Sequence, residues 1–306
     1  MNSPQAPSAV AMIRPHNFFP NPETAADNSF QNTVSQDELH SVHLLAYEQV
    51  TATAEKLEEL GVRVHLFDDA TKDTPDSVFP NNWFSTHADG RICVYPMYPE
   101  NRRRERRADV LETLKSQYRV QEIIDYSGLE LEGLFLEGTG SMVLDHIEKV
   151  AYAARSLRTN PMVLERFCRR FDFEPLLFDA QDAQGNAVYH TNVIMCLGSD
   201  YALLCDDMIT SASQRNAVLR RLSASDRELI SLTQEQINQF CGNALELNGN
   251  QGRFLAMSTT ALAALTANQI KQLESRLAIE AFDVSTLELA GGSLRCMLAG
   301  VHLMPR

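Results

Sequence analysis

The chain is poor in positive charge and has no paired cysteines. Its 306 residues include six cysteines, at 93, 168, 196, 205, 241 and 296, with no CxxC pair and no histidine at a zinc-type spacing. That usage argues against a disulfide framework and a structural zinc, and for reduced thiols in a cytoplasm. Lysine and arginine number 27 against 40 aspartates and glutamates, a net charge of -13. Such a surface repels phosphate backbones and anionic lipid, so neither nucleic acid nor membrane is an expected partner. No apolar stretch approaches the ~18 residues of a membrane span, and the first ten residues lack the basic start and apolar core of a signal peptide. No Pro/Gly/Ser-rich linker interrupts the chain, and 44% hydrophobic residues suffice for a substantial core. One domain over residues 1–306 is the expectation.

What is present is a periodic pattern. Helical spacing predicts helices near Asp37 to Leu60, Arg103 to Tyr118, Pro161 to Phe171, Ser213 to Leu222, Thr233 to Phe240 and Thr266 to Leu277. Short β-rich runs separate them, among them Val62 to Phe67, Arg91 to Tyr95, Gly133 to Leu136, Val150 to Ala154, Val188 to Leu197, Phe254 to Ser258 and Leu294 to Ala299. Asp89-Gly90, Gly198 to Asp200 and Gly249 to Gly252 sit between runs as hairpin turns. A strand, turn, strand, helix, strand unit begins near Phe79, Phe135, Val188, Leu245 and Leu287, at a period of roughly fifty-five residues for the first four, in the range of arrays and propellers. In a closed ring, equivalent positions of successive units converge on one axis. Those positions hold Asn82, Glu137, His190, Asn248 and, in the last unit, Cys296.

Cys296 follows Gly291-Gly292-Ser293 at the close of an apolar run, where a flexible backbone lets a thiol approach a ligand. By itself the pattern also fits an inert core cysteine. His190, alone, fits a strand histidine bonded to a carbonyl, and Glu137 a turn-terminating glutamate. Together, thiol, imidazole and carboxylate make a nucleophile, a proton shuttle and an orienting acid. Arg102 to Arg107, five arginines around Glu105, has the pattern of a solvated helix start. Trp83, the only tryptophan, is expected in the core.

From end to end the chain resembles the guanidino-group modifying enzymes, the superfamily of arginine deiminase, dimethylarginine dimethylaminohydrolase and the amidinotransferases. The matching segments are Met12 to Pro15, Asn17 to Gln31, Phe79 to Trp83, Leu136 to Ser141, Ser156 to Thr159, His190 to Asn192 and Gly291 to Met297. Within it the chain is most similar to the citrulline-utilisation hydrolase and citrulline ureidase branch. The resemblance implies an α/β fold, a five-bladed pseudosymmetric α/β propeller of ββαβ-type repeats. It implies Cys296 as nucleophile, His190 as acid and base, Glu137 as the acid that binds the substrate nitrogens, and Arg158 as the grip on a substrate α-carboxylate. It also places Phe18, Asn21 and Asn28 on an N-terminal loop, Pro15 to Gln31, that closes over the site.

Where arginine-processing relatives carry aspartates, this chain has Asn82 in Asn81-Asn82 and Asn192 in His190-Thr191-Asn192. Each exchange removes a carboxylate that would otherwise face a guanidinium, whereas a neutral ureido group is met by amides. The expected reaction is citrulline to ornithine, carbon dioxide and ammonia. An arginine deiminase, a dimethylarginine hydrolase, an amidinotransferase and a catalytically silent amino-acid binder are the alternatives. No metal or organic cofactor is expected, since thiol and imidazole suffice, and the sequence leaves a homo-oligomer open.

Overall fold

The chain folds into five small three-stranded sheets, as described by a computed structural model for residues 3–35 and 37–306. The sheets are β15-β1-β2, β3-β4-β5, β6-β7-β8, β9-β10-β11 and β12-β13-β14. In chain order the strands are β1 (Ala9–Pro15), β2 (Arg63–Asp69), β3 (Phe84–Thr86), β4 (Arg91–Val94), β5 (Glu122–Asp125), β6 (Met142–Asp145), β7 (Val150–Ala154) and β8 (Glu174–Phe178). The remainder are β9 (Met195–Leu197), β10 (Tyr201–Leu204), β11 (Glu228–Ser231), β12 (Leu245–Gly249), β13 (Gly252–Ser258), β14 (Ala278–Phe282) and β15 (Ala299–Gly300).

Every sheet is built alike. A central strand pairs antiparallel with one neighbour and parallel with the other, as in β6-β7-β8, where Leu144 faces Ala151 and Tyr152 faces Leu176. A parallel partner requires a crossover, which helices supply. The helix Pro161–Phe171 shows why the sequence forms one: Asn160 accepts from the Met162 amide as N-cap, Pro161 occupies the first turn, and Asp172 ends it in the left-handed region. Val163, Leu164, Phe167, Cys168 and Phe171 form its buried stripe against the wholly buried β7. Burial of a side chain such as Phe167 contributes about 1.5–3 kcal/mol.

The fifth unit is stitched from both ends of the chain. β15 pairs antiparallel with β1, Val10 opposite Gly300, and β1 runs parallel to β2 after the helix Leu39–Glu59. The unit expected to begin near Leu287 is thus completed by the N-terminus.

Several expected elements differ. The run Leu294 to Ala299 is not a strand: Leu294–Met297 is one helical turn before the two-residue β15, and Val188 to Leu197 divides likewise into the turn Thr191–Ile194 and β9. Gly133 to Leu136 makes only an isolated bridge, Leu136 to Thr159. The arginine run is not a solvated helix start. It forms a 3-10 turn, Asn101–Glu105, that buries Arg102 against Glu105, and the helix begins only at Ala108. Charge pattern resembles a solvated face whether its partners are water or buried carboxylates. Among the described residues no helix is long and apolar enough to cross a membrane.

Candidate active site

The antiparallel edge strand of each sheet, β3, β6, β9, β12 and β15, is preceded by a short turn or loop, and these segments carry the polar residues. Asn82 ends the turn Pro80–Asn82, Glu137 caps Gly138–Ser141, His190 caps Thr191–Ile194, Asn243 precedes β12, and Cys296 lies in Leu294–Met297. The Glu137-Gly-Thr-Gly sequence is required by crowding. A Cβ on Gly140 would lie 2.3 Å from Asn82 Nδ2 and 2.8 Å from His190 Nδ1, and one on Gly138, already at φ +45, would meet two backbone oxygens.

Glu137 is fully buried, and its Oε2 accepts from His190 Nε2 at 2.9 Å while Oε1 accepts from the Tyr98 amide at 3.0 Å. Arg158 Nε and Arg102 Nη1 lie 3.5 and 3.7 Å from Oε2. Burial alone would raise its pKa, but the His190 hydrogen bond and the charges of Arg158, His190 and Arg102 outweigh it and hold the carboxyl down to about 2. His190 moves the other way from its partner's pull: burial lowers its pKa, with Arg158 and Arg102 adding to it, against the raising effect of Glu137. The resting pair is therefore carboxylate and neutral imidazole, with the proton on Nε2 facing Glu137. Thr191 fixes the histidine's turn by donating to Ser141 O at 2.6 Å and accepting from the Ala154 amide at 2.7 Å.

Cys296 lines the same cleft as His190, but no hydrogen bond joins them. Its Sγ instead receives two carboxamide donors, Asn243 Nδ2 at 3.3 Å and Asn192 Nδ2 at 3.5 Å. The Asn243 orientation is unambiguous, because its Oδ1 accepts from the Arg295 amide at 3.0 Å. Asn82 is fixed in the same way: Arg102 Nη1 donates to its Oδ1 at 2.9 Å, leaving Nδ2 without a partner. Arg102 itself is held by Glu105 through two bonds of 2.9 Å.

Arg158 is buried with both Nη atoms on the Asp27 carboxylate, at 2.7 and 2.8 Å. The inner cleft is about 20 Å³, room for a water and not for an amino acid. An outer pocket of about 420 Å³, walled by Ala25 to Asp27, shares Arg158 and Tyr189 with it. Of the expected loop contacts, Asn28 lines the cleft and donates to Ala290 O at 3.1 Å. Asn21 is buried behind it, donating to Asp76 Oδ2 at 2.8 Å. Phe18 is packed in the core with Val42 and Ala46, away from the cleft, because its apolar ring gains more from that cluster than from a polar site.

A family model, N,N dimethylarginine dimethylhydrolase, eukaryotic, matches residues 14–303. The chain belongs to this family. It is accordingly a hydrolase acting on C–N bonds of linear amidines. No curated protein matches its sequence. Among solved structures, the N-terminal domain of ArgZ, a mutant bound to substrate of an arginine dihydrolase from the ornithine-ammonia cycle in cyanobacteria, is similar at a TM-score of 0.73 and 17% identity, over 95% of this chain and 96% of that one. The ternary complex of AgrE with ornithine and NAD+ is similar at 0.76 and 17%, over 97% of this chain and 40% of that one. A histidine-to-glycine variant of dimethylarginine dimethylaminohydrolase, as its adduct with S-methyl-L-thiocitrulline, is similar at 0.63 and 13%, over 97% and 99%. These likenesses concern the fold.

For this family member the site differs from the sequence reading in one of its five positions. Asn248 lies within β12 opposite Arg253, its amide on Pro7 O, and Asn243 occupies the position before β12. The spacing from His190 and to Cys296, equal on both sides, would have favoured Asn243, but a run of loop residues around it obscured the signal. Arg102, Asp27, Thr24 and Asp76 were also missed: Arg102 reads as part of a solvated charge run, and Asp27 and Asp76 meet partners remote in sequence, Arg158 and Asn21. Trp83 is in the core, its ring tilted at 46° to that of Phe84 with centroids 4.3 Å apart.

Proposed function

We propose that the protein hydrolyses the ureido group of citrulline, releasing ornithine, carbon dioxide and ammonia through a covalent intermediate on Cys296. The observation that carries the substrate reading is the orientation of Asn82. Arg102 can only donate, so Asn82 must turn its oxygen to it and keep its NH2 as the group on offer. A ureido oxygen accepts from that NH2. A guanidinium, which has no acceptor, does not.

In this mechanism the Cys296 proton passes to the free nitrogen of neutral His190, and the imidazolium so formed is stabilised by Glu137. The thiolate, with the amide donors of Asn243 and Asn192 on Sγ, attacks the ureido carbon. The C–N bond to ornithine breaks as His190 returns its proton to the leaving nitrogen, leaving an S-carbamoyl group. Water, deprotonated by His190, then releases carbamate, which decomposes to carbon dioxide and ammonia. Arg158 grips the substrate α-carboxylate once the loop bearing Asp27 lifts, the step that also opens the narrow inner cleft. In the same reading residues 1–306 form one domain, a closed ring of five blades. The six free thiols suit a reducing cytoplasm.

The family match favours a second substrate, a methylated arginine, whose hydrolysis gives citrulline and a methylamine. Incubation with citrulline, arginine and dimethylarginine separately, scoring ornithine, citrulline and ammonia, decides between them. Ornithine formed from citrulline supports the first reading, and amine release from dimethylarginine with citrulline inert overturns it.

A further inference from the structure

A second cavity lies behind the turn that carries Cys296, lined by Gln5, Thr86, His146, Cys196, Arg295 and His302 among others. No aspartate or glutamate lines it, in a chain whose acidic residues outnumber its basic ones 40 to 27. It is about 40 Å³, room for a few waters or one small ion.

Arg295 is the exception among the inward-facing arginines. Arg102 is matched by Glu105, Arg158 by Asp27, and Arg227 by Asp145 at 2.6 and 2.9 Å. Arg295 makes one side-chain hydrogen bond, Nη1 to Leu298 O at 3.0 Å, and no carboxylate pairs with it among the described residues. A guanidinium has five N–H donors, so most of those on Arg295, half-buried at the cavity wall, have no protein acceptor among the described residues. Its pKa is lowered by burial, opposed only by the thiols of Cys296 and Cys196. Next to it the rings of His146 and His302 stack at 4.0 Å. Burial holds both neutral, and the His302 ring is engaged by the Pro4 backbone. The His146 ring has no such bond among the described residues and retains an N–H to give. Charge and donors thus converge on a space with no counter-charge.

We propose that this cavity binds a small monovalent anion, of chloride or bicarbonate size, held by the Arg295 guanidinium with the His146 imidazole as second donor. The site is independent of the substrate taken by the cleft in front of Cys296. Chloride would come from the medium, bicarbonate from hydrated carbon dioxide, and the two have separate arms in the test.

The whole protein is placed in sodium gluconate, whose anion is too large for the cavity. At constant ionic strength gluconate is replaced stepwise by chloride in one series and by bicarbonate in another. A saturable rise in Tm is expected in at least one series, as ligand linkage requires, with saturable chloride NMR line broadening if chloride binds. Arg295→Met keeps the volume and removes the unmatched charge, and is expected to fold and lose the response. Its failure to fold would leave His146→Phe, expected to raise the half-saturating concentration about tenfold, a loss within the range of one hydrogen bond to a charged group. A Tm that rises without saturation in both series overturns the proposal. So does a half-saturation unchanged in Arg295→Met or, where that variant does not fold, in His146→Phe.

Discussion

Asp27 grips Arg158 with two parallel hydrogen bonds of 2.7 and 2.8 Å, so a carboxylate from the N-terminal loop occupies the fork expected to hold the substrate's own. Asp27 is only partly buried while Arg158 is almost completely so. In the proposed mechanism loop and substrate therefore compete for one guanidinium.

Asp27→Asn is expected to lower KM for an α-amino acid substrate by about tenfold, equivalent to about 1.4 kcal/mol, with kcat changed less. Steady-state kinetics check this. A higher KM would show instead that Asp27 holds the loop down over bound substrate.

Burial pushes the thiols of Cys168, Cys196 and Cys241 up to about 12 and that of Cys205 to about 11, and raises Cys93 well above its ordinary value. Iodoacetamide at neutral pH is therefore expected to modify Cys296 first, and substrate to protect it. Mass spectrometry of the labelled peptides reads the site. Cys296→Ala is expected to lose turnover while keeping its Tm, and activity within about tenfold of wild type would reject the nucleophile.

Asn243 supplies the shorter of two amide contacts to Cys296 Sγ. Asn243→Asp replaces that donor with a carboxylate beside the sulfur, which disfavours the thiolate. The midpoint of the pH profile for Cys296 alkylation should rise by about one unit, a change of ~1.4 kcal/mol. An unmoved midpoint would assign Asn243 to positioning the Arg295 backbone alone.

The Glu137 carboxyl falls to about 2 in the fold from an ordinary value of 4.5. A depressed acid stabilises the fold above its unfolded pKa and loses that contribution as pH falls toward the folded one. About 3 kcal/mol is at stake, all of it present at neutral pH and vanishing between about pH 5 and 2. Urea midpoints of wild type and Glu137→Gln, followed over that window, should converge as the solution is acidified. Parallel curves would count against the buried charge.

Much of this protein was written locally. The helix Pro161–Phe171 was legible to the residue because its cap, its proline and its apolar stripe are all within one segment. Cys296, His190, Glu137 and Asn82 were singled out because each interrupts an apolar run at a recurring spacing, whereas Asn192 and the roles of all five came from the family resemblance. The turns Leu294–Met297 and Thr191–Ile194 were not, since four residues are too few to show a helical period and their apolar content matches a strand.

The sequence by itself determined the repeating strand and helix units, the net negative charge and the chemical types at the recurring positions, because these follow from periodicity, charge and residue identity. Tertiary structure alone decided which amides face Cys296, that Arg102 takes the oxygen of Asn82 and leaves its NH2 on offer, and that Asp27 closes on Arg158. Each is a pairing between segments remote along the chain. Pattern within a window carries no record of such partners, whereas a buried hydrogen bond exists only where the fold brings donor and acceptor within about 3 Å.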